Sequence, residues 1–253
     1  MIYLVTACQE LFTNEVYKIV SVEESLKLLE SLTIVGLDTE TEGFDPYTKK
    51  LKLLQLGCYE FQVVIDCTTI DIQEYKSYLE SDRVFILWNA KFDLKWLYRY
   101  HIVPKNVYDG FLAEKIMWLG YPIVLTVDMW NNIKCDRYDY FPGDSKKDTE
   151  AHYKLQMNLK KAGEMYLGVE LDKSVRGKII YLGLTPETIA YSANDVKYLE
   201  DIKNCQEKLL KEKGLMLAMS YSNKFILALA YMEFCGVKVD INKWIAKMNK
   251  DNE

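Results

Sequence analysis

Histidine is nearly missing from this chain, with two among 253 residues. His101 and His152 stand far apart and in no H-E-x-x-H context, which counts against a zinc hydrolase. The six cysteines (Cys8, Cys58, Cys67, Cys135, Cys205 and Cys235) are scattered, with no C-x-x-C pair. That spacing speaks against a disulfide framework or a cysteine zinc site and favours a reducing cytosol. No apolar run reaches the roughly 18 residues of a transmembrane helix. The opening "MIYLVTACQELFTNEV" has no basic start, and its apolar stretch is too short for a secretory signal. There is neither a P-loop nor a strand-linked G-x-G-x-x-G. An excess of positive charge is also lacking: the net charge is -5. Proteins that coat nucleic acid are usually basic, but an enzyme that grips a few nucleotides at a strand end need not be.

What is present is an ordinary globular composition, 49% hydrophobic and 27% charged. The length suits one large domain, or one domain plus part of a second. Val16 to Val20 reads as a short strand. "SVEESLKLLESL" follows with a capping-box pattern, Ser21 as N-cap and Glu24 three residues on, and Leu26, Leu28, Leu29 and Leu32 suit one helix face. Residues 33 to 40 read as a buried strand and "GFDPYTKK" as a turn. "LKLLQLGCYEFQVVID" reads as a β-hairpin turning at Gly57 to Glu60. A helix at "IQEYKSYLES", a strand at "RVFILW", a helix at "NAKFDLKWLYRY" and a helix over 109–118 follow. Residues 134–150 are polar and read as a mobile loop. A helix is expected from Tyr153 to Leu167. One long helix is expected from Thr185 (N-cap) and Pro186 (first position) to Gly214, and another over 215–234. Strands crossed by helices, then a helical last third, point to an α/β core with a mixed sheet.

The chemistry concentrates in "IVGLDTETEGFDP", residues 34–46. A buried strand ends in Asp38, Glu40 and Glu42, spaced so that all three start on one face. Like charges side by side repel, and burial makes it worse. A solvated strand end would tolerate them, but the preceding residues look buried on both faces, and ligands of α/β sheets bind at the carboxyl ends of strands. A calcium loop fails at its twelfth position, which is Lys49. A magnesium site remains, provided further acids arrive from elsewhere in the chain. Asn89 and Asp93 in "NAKFD", and Tyr191 and Asp195 in "YSAND", are each four apart and so share a helix face.

In that order, D-x-E at a strand end, N-x-x-x-D opening a helix and Y-x-x-x-D on a later helix resemble the DEDD superfamily of 3′–5′ exonucleases, in its tyrosine branch. The resemblance runs from about residue 16 to 212. "YLGVELDKSVRG" and "YSANDVKYL" are similar to the proofreading domains of family A DNA polymerases. "ALAYMEFCGVKVDINKW" (228–244) is similar to the start of a polymerase module. The resemblance implies an RNase-H-like α/β fold, a mixed central sheet flanked by helices, with a helical C-terminal extension. It divides the chain into an exonuclease domain over 1–214 and a helical extension over 215–253 that resembles the beginning of a polymerase module, and it implies an N-terminal part of a longer polymerase, with a free-standing exonuclease that kept the remnant as the alternative.

The same resemblance implies hydrolysis with two divalent metal ions, Mg²⁺ with Mn²⁺ as substitute. Asp38, Glu40 and Asp195 would hold the ion that activates water. Asp38 would bridge to the second, which Asp93 would reach directly or through water. Such a pair stabilises the attacking and leaving oxygens of an in-line displacement. Tyr191, with Glu40, would orient the water by hydrogen bonding, since an ordinary phenol has a pKa of about 10 and is no base. The product would be a nucleoside monophosphate. Phe44 falls where the family places an apolar residue against the terminal base; a core role closing the turn is the alternative. Asn89 is either a substrate contact or an N-cap. Lys173, Arg176 and Lys178 are candidate phosphate contacts. Asp109 heads a helix, which makes capping its expected role, with support of the acids the alternative, and Glu42 lies outside the pattern. The function implied is a 3′–5′ exodeoxyribonuclease acting on single-stranded DNA 3′ ends and proofreading for a polymerase, in the cytoplasm of a bacterial or phage-infected cell, with no membrane partner. An RNase D-like exoribonuclease and a catalytically dead polymerase scaffold are the alternatives. All five of Asp38, Glu40, Asp93, Tyr191 and Asp195 are present, which argues against the last.

Overall fold

The computed structural model describes residues 1–144, 149–171 and 183–251. Its main sheet has seven strands: β1 (Ile2–Val5), β2 (Tyr17–Ile19), β3 (Ile34–Thr41), β4 (Leu51–Gly57), β5 (Gln62–Asp66), β6 (Val84–Leu87) and β7 (Asn106–Asp109). Their spatial order is β2-β1-β5-β4-β3-β6-β7. β4 runs antiparallel to both of its neighbours, β3 and β5. The other pairings are parallel, so the sheet is mixed, as the 51–66 hairpin requires. β1 and β7 are additions to the sequence reading. Each is four residues long and is defined by the strand it lies beside.

Helices cover both faces. α1 (Val22–Leu29) begins with the expected capping box, Ser21 and Glu24 each accepting from the other's backbone N–H. A 3₁₀ turn (Ile72–Tyr75) leads into α2 (Lys76–Leu79), and α3 (Lys91–Arg99) follows β6. These pack over Val35, Leu37, Leu54 and Phe85 in the larger core cluster. The opposite face carries α4 (Gly110–Met117), α6 (Leu159–Leu167), α7 (Pro186–Lys197) and α8 (Leu199–Glu212). The helix expected as one piece from Pro186 to Gly214 is therefore two. It breaks at Tyr198, where φ is -105° and ψ is 2°. α9 (Met216–Cys235) inserts Met219 into one cluster and Ile226 and Ala230 into the other. Tyr98 donates to the Leu227 carbonyl at 3.0 Å, and Glu233 pairs with both Lys91 and Lys95. α10 (Ile241–Asp251) contributes no buried residue.

Val124–Thr126, in a stretch given no element from the sequence, joins Tyr138–Phe141 of the expected loop and His152–Leu155, at the start of the expected helix, in a second, three-stranded antiparallel sheet with the last of these in the middle. β8 (Val124–Thr126) precedes α5 (Val127–Ile133), and β9 (Tyr138–Phe141) pairs with β10 (His152–Leu155). The helix expected from Tyr153 starts instead at Leu159, with the Asn158 side chain as cap. The alternation Tyr153, Leu155, Met157 explains the difference: it has period two, the mark of a strand. A buried ion pair between Arg137 and Glu114 of α4 ties this sheet to the body. Glu114 also accepts from the Tyr166 hydroxyl (2.8 Å) and the Gln206 amide (2.7 Å).

Candidate active site

Strand parity assigns the side chains of β3. Val35 and Leu37 belong to the cluster under α3, so Thr39 points that way, while Gly36, Asp38 and Glu40 face α7. α7 comes very close here. A Cβ on Gly36 would lie 2.6 Å from the Val196 carbonyl oxygen, so only glycine admits the helix at this distance. Val196 follows Asp195. The close approach thus brings Asp195 to the strand end, where carboxylate oxygens of Asp38, Glu40 and Asp195 lie within 4.8 Å of one another. Tyr191, one turn earlier on α7, is buried against Leu53, Val64 and Ile189.

Hard oxygen donors converging on one point fit a divalent cation such as Mg²⁺ or Mn²⁺. The donor set contains no sulfur or imidazole, which counts against zinc.

Asp93 does not join that group of three. It is buried on the α3 face, and its Oδ1 accepts from the Thr39 hydroxyl at 2.6 Å. Burial pushes its carboxyl up to about 7, with the neighbouring Asp109 charge adding to the rise and the Thr39 hydrogen bond opposing it. The parity of D-T-E separates the two: residues 38 and 40 face one helix layer and residue 39 the other.

Asn89 is not the N-cap of α3. The cap is Ala90, without a side-chain hydrogen bond, and Asn89 is exposed in the left-handed region at φ 70°. Asp109 takes over the capping. Its carboxylate accepts from the backbone N–H groups of Asn89 and Ala90, both at 3.0 Å, and from Phe111 and Leu112 at the start of α4. One buried acid therefore holds the ends of two helices, a role the sequence reading saw only for α4. Phe44 is not a core residue: it is 88% exposed, with its ring edge-on to Phe92 at 6.3 Å. Glu42 lies past the end of β3 and is ion-paired with Lys52 at 2.7 Å, which lowers its carboxyl below the usual range. Lys173, Arg176 and Lys178 lie outside the described residues.

Gln55 escaped the sequence reading. It stands on β4 directly opposite Asp38 and is fully buried. Among the described residues, neither its Nε2 nor its Oε1 has a hydrogen-bond partner. The signal available beforehand was an uncharged polar residue flanked by leucines in "LKLLQLG".

A mixed sheet flanked by helices, with carboxylates gathered at the end of an inner strand, is the RNase-H-like arrangement of metal-dependent nucleases. The chain belongs to the 3′–5′ exonuclease family, whose sequence profile matches residues 13–211. It is 37% identical over 99 residues to DNA polymerase I of Aquifex aeolicus (strain VF5). That match spans 39% of this chain and 16% of the polymerase. The fold is similar to Escherichia coli RNase D, an exoribonuclease involved in structured RNA processing, with TM-score 0.64 and 19% identity over 92% of this chain and 51% of that one. Brucella melitensis NrnC gives TM-score 0.63 and 20% identity over 82% of this chain and 89% of its own. The family uses divalent metal ions, and the three gathered acids offer a possible site. Among the described residues no helix is long and apolar enough to cross a membrane.

Proposed function

We propose that this chain removes nucleoside monophosphates from DNA 3′ ends and proofreads for a DNA polymerase. The observation that carries the choice of DNA is the 37% identity to a DNA polymerase I. Asp38, Glu40 and Asp195 would hold a divalent cation, and Asp93 would help to hold a second, directly or through water. The cations, when bound, supply positive charge to the attacking and leaving oxygens. Tyr191 orients the attacking water together with Glu40. Phe44, protruding beside α3, stacks on the terminal base, a contact worth about 1–3 kcal/mol. Asn89, exposed at the entry to α3, contacts the same nucleotide, and Lys173 and Arg176 contact phosphate.

A polymerase module is the proposed partner. Leu217, Tyr221, Phe225 and Met232 form an exposed stripe on α9, away from the side packed on the core. Ile241, Trp244, Ile245 and Met248 form another on α10. A helix apolar on two sides, as α9 is, or with an exposed apolar face, as α10 is, normally has something covering it. The proposed compartment is the cytoplasm.

The second reading is an exoribonuclease, favoured by the fold similarity to RNase D. The sugar is told apart by contacts other than the acids. Digestion of matched single-stranded DNA and RNA oligonucleotides with Mg²⁺ or Mn²⁺ decides between them. DNA trimmed faster supports proofreading; RNA trimmed faster overturns it.

A further inference from the structure

Buried amides are almost always hydrogen-bonded, because leaving one unpaired costs roughly 1–3 kcal/mol. Gln55 is fully buried, and both its amide atoms lack a partner among the described residues. Its surroundings on the sheet are settled by register. Val64 lies opposite on β5, Leu53 and Gly57 flank it along β4, and Asp38 lies opposite on β3. Opposite residues of antiparallel strands share a face, with Cβ atoms about 4.5–5.5 Å apart. Three of the four neighbours are apolar or lack a side chain, so the sheet sets the amide against one polar group, Asp38. An apolar side chain of similar size would fill the same space without leaving a polar group unpaired, as Leu53 does two residues along on the same face.

We propose that Gln55 is a positioning residue for the exonuclease reaction. Its carboxamide engages the Asp38 carboxylate, or a water held by it, when the acid group takes up its cation, and thereby fixes the orientation in which Asp38 presents its oxygens. Without that engagement the amide has no partner among the described residues. Outer partners of this kind typically change cation affinity or activity by about 10–100-fold when removed. The inference rests on the acids binding a cation.

The test is Gln55→Leu, with Gln55→Met as a second apolar variant of closer shape. Three quantities are read: the melting temperature without divalent ions, Mn²⁺ affinity by calorimetry without substrate, and the rate of 3′-end digestion. The cation-free variants should melt about 2–4 °C higher, the size of effect expected from relieving roughly 1 kcal/mol in a domain this large. Mn²⁺ affinity and rate should each fall about 10–100-fold. A plain packing role would leave affinity and rate within twofold of the wild type, and that result overturns the proposal. So does a lower melting temperature in both variants, since it would mean that the amide already has a partner. A wild-type protein that binds Mn²⁺ but digests no nucleic acid would overturn the functional reading while leaving the role of Gln55 decided by the affinity data.

Discussion

Gly36 sets the distance between strand β3 and helix α7, and Gly36→Ala tests whether that distance builds the site. The new Cβ would lie 2.6 Å from the Val196 carbonyl oxygen, 3.1 Å from the Val196 Cβ and 3.2 Å from the Gly57 carbonyl oxygen. An unstrained carbon–oxygen contact needs about 3.3 Å, so strand and helix must separate by roughly 0.7 Å. Backbone lies on both sides, and a close-packed interior passes such a shift on rather than absorbing it. Overpacking of this kind costs about 1–3 kcal/mol. The larger effect falls on the chemistry, because the atom in the way belongs to the residue after Asp195. A displacement approaching 1 Å at a reacting centre costs on the order of 100-fold. The expected result is a denaturation midpoint lowered by the equivalent of about 1–3 kcal/mol, with kcat down by roughly 30–100-fold. Leu210→Ala serves as comparison. It empties a fully buried site on α8 and should cost about 2–5 kcal/mol while leaving the rate per folded molecule unchanged. If Gly36→Ala lost the expected stability but kept the wild-type rate, the close approach of α7 would not be what gathers the acids.

Four further outcomes are expected. Asp38→Ala should lower the digestion rate by orders of magnitude while the melting curve stays similar or shifts upward, since it relieves charge crowding; a near-wild-type rate would remove Asp38 from the site. Phe44→Ala should raise KM by roughly 5–150-fold, from about 1–3 kcal/mol of lost stacking, with no loss of stability from so exposed a residue; an unchanged KM refutes the stacking role. Arg137→Met should cost about 3–5 kcal/mol in urea melts, because it strands the buried Glu114 carboxylate, and adding Glu114→Gln should restore much of that; a single-variant cost under about 1 kcal/mol would refute the pair's importance. Burial pushes the Tyr75 phenol up to about 12 against the opposing Ser25 hydrogen bond. From pH 10 to 12 the unfolded chain therefore gives up this proton first. The native state holds more protons there, and stability falls as pH rises, by at most about 1.4 kcal/mol per unit. Urea melts across this range should show a shallower slope in Tyr75→Phe, and an identical slope would contradict the assignment.

Features written in local chemistry were legible in the sequence. The Ser21/Glu24 capping box, the hairpin turn at 57–60 and Thr185-Pro186 at a helix start need only their own neighbours. The strand ending in Asp38 and Glu40 was legible because charged groups at a buried strand end demand an explanation, whereas Asp195 on a later helix stood out only through the resemblance of the motif order to the DEDD exonucleases. β1 and β7 were not legible; their pairing beside β5 and β6 is what defines them. Nor was the break at Tyr198, which has neither glycine nor proline to mark it. The side on which Asp93 lies follows from parity: Thr39 alternates with Asp38 and Glu40, so whatever binds Thr39 faces the other layer. Gln55 needed the register of β4 on β3, which no single strand reveals.

The acid group draws Asp38 and Glu40 from the first fifth of the chain and Asp195 from beyond its middle. Bringing such distant segments together exacts loop-closure entropy before any contact is made, and contacts of this span form late in folding. The β3–β4–β5 hairpins can assemble from nearby sequence, but they supply only two of the three gathered carboxylates. A cation bound at that group would thus report on the completed domain. During refolding, nuclease activity should return with the slowest native phase, after strand structure, and partly folded molecules should pass through that interval without cutting nucleic acid.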